Sequence, residues 1–163
     1  MITVDGILAE WSRERPDLDV SPMAVVGRLS RVNALFEAGM AEDYAQWGLD
    51  GGSFDVLFTL VRSGAPYALS PSTLAASSMV STAAVAQRVN RLVAAGLVTR
   101  APDPNDGRGT VVTLTSAGKQ LANRALPSHL QAEERLLASL SATDRADLAA
   151  LLERVLTAKA APV

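Results

Sequence analysis

A chain of 163 residues, 48% hydrophobic and 20% charged, fits one domain with a sizeable core and is too apolar to be disordered. It has no cysteine and a single histidine, His129, which excludes disulfides and thiol redox sensing and leaves almost nothing for zinc chemistry or a Ser-His-Asp triad. The net charge of −2 is unevenly spread: residues 81–124 carry +4 and the remainder −6, the pattern of a local polyanion-binding face or of a solvated charged face.

From the N-terminus, Ile2, Ile7, Leu8 and Trp11 make a rough apolar stripe that predicts a short helix over residues 2–13. These first residues are charged and lack the apolar core of a signal peptide. No run approaches the roughly 20 apolar residues of a spanning helix, so no membrane segment is expected and the expected location is the cytoplasm. RPDLDVSP (15–22) breaks the helix, since proline cannot continue a helix interior. Ser21 before Pro22 reads as an N-cap followed by proline at the first helical position. The helix it opens is predicted to reach about residue 46, with Val25, Leu29, Val32, Leu35 and Phe36 on one face. Its length places part of it outside its own domain.

GLDGG (48–52) is a loop, and 53–64 reads as a helix closed by Gly64. Ser70-Pro71 repeats the cap signature and opens a short helix, 71–78. Another helix follows over 82–95, with Val85, Val89, Leu92 and Val93 inward and Gly96 as its stop. Residues 97–101 and 109–115 are two strands joined by the turn-rich tip PDPNDGR. Two helices, about 116–138 and 142–160, complete the chain, with Ser141 and Asp144 as a Ser-x-x-Asp capping box. The order predicts a mainly α fold with a small β-wing: a winged helix-turn-helix flanked by helical arms. Three parts are expected: N-terminal helices over 1–47, the winged domain over 48–115 and C-terminal helices over 116–163. Such a domain can bind DNA or another protein, because fold alone does not fix function.

The stretch Asp103-Pro104-Asn105-Asp106-Gly107-Arg108, then Val111-Val112-Thr113-Leu114-Thr115 and Gly118, closely resembles the wing of MarR-type transcriptional regulators. Arg91-Leu92 with Gly96-Leu97-Val98 and Arg100 is similar to their recognition helix running into the first wing strand. The resemblance covers roughly residues 20–160. It implies a homodimer on a palindromic operator, with the N- and C-terminal helices as dimerisation arms and one winged domain per subunit. A helix preceding a hairpin can lie in the major groove while the tip reaches the adjacent minor groove. Arg108 at the tip suits that narrow, electronegative groove, and Asp106 either forks to its guanidinium or makes only a surface ion pair with it. Asp103 is expected to shape the turn. Off the apolar face of helix 82–95, near its start, stand Ser81, Thr82, Ala83, Ala84, Ala86 and Gln87. Gln87 can read adenine, and Ser81 and Thr82 can bond phosphates. Arg91 faces phosphate or lies along the surface. Alanines such as Ala84 leave direct base readout sparse, which shifts weight to DNA shape and the wing.

A narrower resemblance links Trp47-Gly48-Leu49-Asp50, Phe54-Asp55-Val56-Leu57, Leu60, Arg62-Ser63-Gly64 and Pro66-Tyr67-x-Leu69-x-Pro71 to the urate-responsive branch of that family. That branch carries an extra N-terminal helix with a tryptophan, supplied here by residues 2–13 and Trp11. The resemblance implies a ligand set of Trp11, Asp55, Arg62 and Arg88; residues Ala84 to Gln87 depart from the branch pattern. Asp55 and Arg62 are seven apart, two helical turns, and can project from one face. Trp11 offers an indole donor and a flat wall. The implied effector is a planar anion such as urate or a related purine, which would draw Arg88 and its helix from the DNA-binding position by binding the two states unequally. The plainer reading is an Asp–Arg ion pair and a tryptophan that anchors the added helix. Glu37, Asp43 and Tyr44 are further lining candidates. No nucleophile–base pair or phosphate loop is visible, so neither enzymatic activity nor a cofactor or metal is expected. His129 is expected on a surface or interface of an arm helix. The competing reading is a winged-helix module that binds protein; the Arg108 wing favours DNA.

Overall fold

The computed structural model describes residues 2–78, 82–103 and 109–158. Among them, α1 (Val4–Glu14) leads into the long α2 (Ser21–Gln46). Thr3 caps α1 by accepting the Gly6 N–H at 3.0 Å, and Val4 packs on the open face left by Gly27 of α2. The start of α2 differs from the expectation. Ser21 is its first helical residue rather than its cap, and its N–H and hydroxyl are both held by the Asp19 carboxylate, at 2.9 and 3.0 Å. An aspartate two residues upstream supplies a charged acceptor, which outcompetes the serine hydroxyl for the turn.

The core gathers around α3 (Gly51–Arg62), β1 (Ala68–Leu69), α4 (Pro71–Ser77), α5 (Thr82–Ala94), β2 (Val98–Pro102) and β3 (Thr110–Leu114). Val56, Leu57 and Leu60 from α3 pack with Leu74 of α4, Val85, Val89 and Leu92 of α5, and Val98 and Val112 of the sheet. Val93, expected inward, is 39% exposed: the buried stripe of α5 is narrow, and Val93 lies about 80° around the helix from Val85. Ser70 caps α4 as expected, accepting the Thr73 N–H at 3.1 Å. Gly64 and Gly96 close α3 and α5 in the left-handed region, at φ +77° and +70°.

The sheet is antiparallel in the order β1-β3-β2, with Val98 opposite Leu114 and Pro102 opposite Thr110. Its two-residue strand β1 is too short to leave a period in the sequence. It pairs Ala68 with Thr113, and the Tyr67 carbonyl just before it accepts the Leu114 N–H at 3.0 Å. The Asp103 N–H donates to the Gly109 carbonyl at 3.0 Å, closing the ribbon below its tip.

The chain ends in α6 (Ser116–Leu136) and α7 (Ala142–Ala158). The expected capping box forms in both directions: the Ser141 N–H donates to Asp144 at 2.9 Å, and the Asp144 N–H to the Ser141 hydroxyl at 3.2 Å. Val25, Val26, Leu29, Val32 and Leu35 of α2, and Leu151, Val155 and Leu156 of α7, stay exposed. The architecture is a winged helix-turn-helix with helical arms, α4 and α5 forming the helix pair. Among the described residues no helix is long and apolar enough to cross a membrane.

Candidate nucleic-acid interface and effector pocket

Helix α5 turns its valine and leucine stripe to the core, which leaves Ala83, Ala86, Gln87 and Asn90 exposed on the opposite side. Ala84 is half-buried at the edge of that face. Ser81, the Thr82 side chain, Asp106 and Arg108 lie outside the described residues. Where β2 leaves the helix, Arg100 donates to Asn90 at 3.1 Å and ties the ribbon to α5.

The two arginines of α5 share one acceptor. The Nη1 atoms of Arg88 and Arg91 donate to the same Asp50 oxygen, Oδ2, at 2.9 and 2.7 Å. Asp50 is also the N-cap of α3: its other oxygen accepts the Ser53 N–H at 2.9 Å. Partial burial pushes the Asp50 carboxyl up, but Ser53, Arg88 and Arg91 together outweigh that and hold it below the usual carboxylate range. Gly52 makes room for the arrangement, since a Cβ there would stand 2.6 Å from Arg88 Nε. That Nε is buried with no acceptor among the described residues. In the sequence Asp50 stood as a loop residue before a glycine pair and as one position of the narrower family resemblance; its hold on the two arginines of α5 left no local signal.

An open cavity of about 930 Å³ lies between α2, α3 and α6. Phe36, Met40 and Tyr44 of α2, Phe54 and Phe58 of α3, and Leu126 and His129 of α6 give it an aromatic, apolar lining. Asp55 and Arg62 both line it, sharing the helix face that their seven-residue spacing allows. The Arg62 guanidinium donates to the Thr59 hydroxyl at 3.2 Å and to the Ser77 carbonyl at the end of α4, so the residue ties the cavity wall to the helix-turn-helix. Arg88 lies behind the wall at Gly52 rather than in it. Trp11, on α1 and 44% exposed, is not brought to the cavity within one chain. Of the further candidates, Glu37 and Tyr44 line the space, while Asp43 is buried and does not.

His129 departs most from expectation. Its ring sits 4.5 Å from that of Phe54 and 5.9 Å from that of Tyr44, in the cavity wall. Its Nε2 lies 3.2 Å from Glu133, and its Nδ1 lies 4.0 Å from the buried Asp43 carboxylate. The signal was present: Ala122, Ala125 and Ala132 are all buried, and His129 continues their helical spacing. The Tyr44 hydroxyl is pushed above its usual pKa by burial first, then by the carboxylates of Glu133, Asp43 and Asp55.

Residues 47–109 match the MarR family. The HTH-type transcriptional regulator PecS of Dickeya dadantii is 39% identical over 154 residues, spanning 94% of this chain and 93% of that protein. Among solved structures, a MarR variant from E. coli complexed with operator DNA superposes with a TM-score of 0.74 at 27% identity, covering 85% of this chain and 99% of that one. Bordetella bronchiseptica BpsR, whose structure addresses regulation of DNA binding by 6-hydroxynicotinic acid, also superposes at 0.74, with 26% identity over 80% of this chain and 91% of its own. The chain belongs to the MarR family of DNA-binding transcriptional regulators.

Proposed function

We propose that the chain is a cytoplasmic, non-catalytic repressor that binds a palindromic operator as a homodimer and is released by a small aromatic ligand in the cavity between α2, α3 and α6. The observation that carries this reading is the shared use of α3. One face of it, with Phe54, Asp55 and Arg62, lines the cavity; its N-terminal cap holds the arginines of α5. A ligand that shifts α3 therefore acts on the DNA-reading helix through bonded contacts, provided it binds the two positions unequally.

The operator surface in this proposal consists of Ser81, Thr82, Ala84, Gln87 and Arg91 on or beside α5, with Asp106 and Arg108 at the wing tip. Asp55, Arg62 and Arg88 form the ligand set on and behind the cavity wall, and Trp11 joins them on the family resemblance. Urate is the first effector to test, as a planar molecule able to stack on the aromatic lining and bond to Asp55 and the arginines. Regulation of BpsR by an aromatic acid, 6-hydroxynicotinic acid, supports an effector of this general shape.

The test is fluorescence anisotropy on the upstream intergenic duplex, with and without urate. Urate should weaken binding, and Asp55→Ala should abolish the response while leaving ligand-free binding intact. Tight binding indifferent to urate would overturn the choice of effector. Binding no stronger than to a mixed-sequence duplex would favour the protein-binding module.

A further inference from the structure

We propose that Asp50 is a specificity-determining residue: it holds Arg88 and Arg91 on α3 and away from the phosphates of non-cognate DNA. The proposal rests on α5 being the DNA-reading helix. Two guanidinium charges meet one carboxylate, so the cluster presents +1 to an approaching duplex rather than +2. Among the described residues, the other cations of the basic segment have neutral partners. Arg100 bonds Asn90, Lys119 bonds the Tyr67 hydroxyl and Arg124 lies over the Trp47 ring. At α5 itself, by contrast, a carboxylate offsets part of the positive charge.

The contact is accessible to competition, because the Arg91 side chain is 53% exposed and that of Asp50 is 41% exposed. Arg88 is held more deeply, in the space that Gly52 leaves, with only 24% of its side chain exposed. Arg91 is thus the arm that can swing to phosphate, and Arg88 the one that fixes α5 against α3. Non-specific affinity follows the number of phosphates neutralised, and a genome offers a vast excess of non-cognate sites. A carboxylate that keeps Arg91 from the phosphates of non-cognate DNA, and yields it only where the operator's own contacts compete for it, lowers competing binding more than operator binding.

Asp50→Asn keeps an efficient N-cap on α3 and removes the charge. Full-length wild type and variant would be titrated on a mixed-sequence duplex and on a duplex selected by the wild type from a random pool. Releasing Arg91 should steepen the log–log salt slope on mixed-sequence DNA by about 0.9 per subunit. It should tighten that binding several-fold and lower the ratio of selected to mixed-sequence affinity. Arg91→Gln should leave the slope unchanged in the wild type and restore it in the Asp50→Asn background. An unchanged slope in Asp50→Asn would overturn the proposal. So would a slope reduced by about 0.9 on Arg91→Gln in the wild type, which would place Arg91 on phosphate already. That second measurement decides the matter even if Asp50→Asn fails to fold. Wild type that binds neither duplex with salt dependence would overturn the DNA reading of α5 as well, a result distinct from either of these.

Discussion

A Cβ built on Gly118 would stand 2.1 Å from the Leu97 carbonyl oxygen and 2.9 Å from a Leu114 methyl group. The glycine therefore lets the first turn of α6 lie directly on the strand connection, where the Thr115 N–H and hydroxyl also meet the Leu97 carbonyl. In the sequence Gly118 was legible only as the last position of a wing motif; its reason is a backbone contact, which no local pattern encodes. A helical Gly→Ala change elsewhere would stabilise by up to about 1 kcal/mol. Here the obstacle is backbone, so Gly118→Ala should instead destabilise by about 1–3 kcal/mol, as overpacking does. Urea unfolding followed by circular dichroism measures this, and an unchanged or raised midpoint would refute the contact. Asp50 illustrates the same limit from the other side. Its cap role is local and follows from Asp preceding a helix, but its bonds to Arg88 and Arg91 cross 38 and 41 residues and depend on how α3 and α5 pack.

At the scale of elements, those with a local chemical signature were readable. The serine caps of α4 and α7, the stops at Gly64 and Gly96 and the ribbon strands need only neighbouring residues to form. Apart from the start of α2, where Asp19 two residues upstream takes over from the Ser21 cap, the failures share a cause in tertiary contact. β1 exists because β3 offers it an edge, Val93 is exposed because the stripe of α5 meets only a narrow wall, and His129 is held by rings from α2 and α3. The candidate site was half legible for the same reason: Asp55 and Arg62 share a helix and a face, whereas Arg88 comes to lie behind the cavity wall only through packing and Trp11 is not brought to the cavity within one chain. The capping box of α7 gives a test at this scale. Because no residue of α7 is buried within the chain, its first turn depends heavily on Ser141 and Asp144. Ser141→Ala should lower helix stability by about 1 kcal/mol. Amide exchange in the first turn of α7 should then quicken by about fivefold, while exchange in α3 stays unchanged.

For the whole molecule, the outstanding fact is how much apolar surface the arms leave uncovered. Val25, Val26, Leu29, Val32 and Leu35 on α2 and Leu148, Leu151, Leu152, Val155 and Leu156 on α7 are all exposed. Contiguous patches of this kind mark an interface. The proposed homodimer uses a second copy to cover them, and stable interfaces of that type bury at least about 1,200 Å². In the proposed dimer, DNA affinity would depend on dimerisation, since two α5 helices on half-sites about one helical turn apart would bind as a linked pair. Placing charge in the patch separates the two effects. Leu151→Glu with Val155→Glu alters two exposed positions remote from α3 and α5, so each subunit should keep its fold. Light scattering should show the mass fall from about 34 kDa, twice the 17.1 kDa chain, to that of one chain. Operator affinity should drop by about 10²–10⁴-fold as the second half-site is lost, with little change in the melting temperature of the winged domain. A double variant that remains dimeric, or a monomer that binds the operator as tightly as the wild type, would show that the arms do not set DNA occupancy.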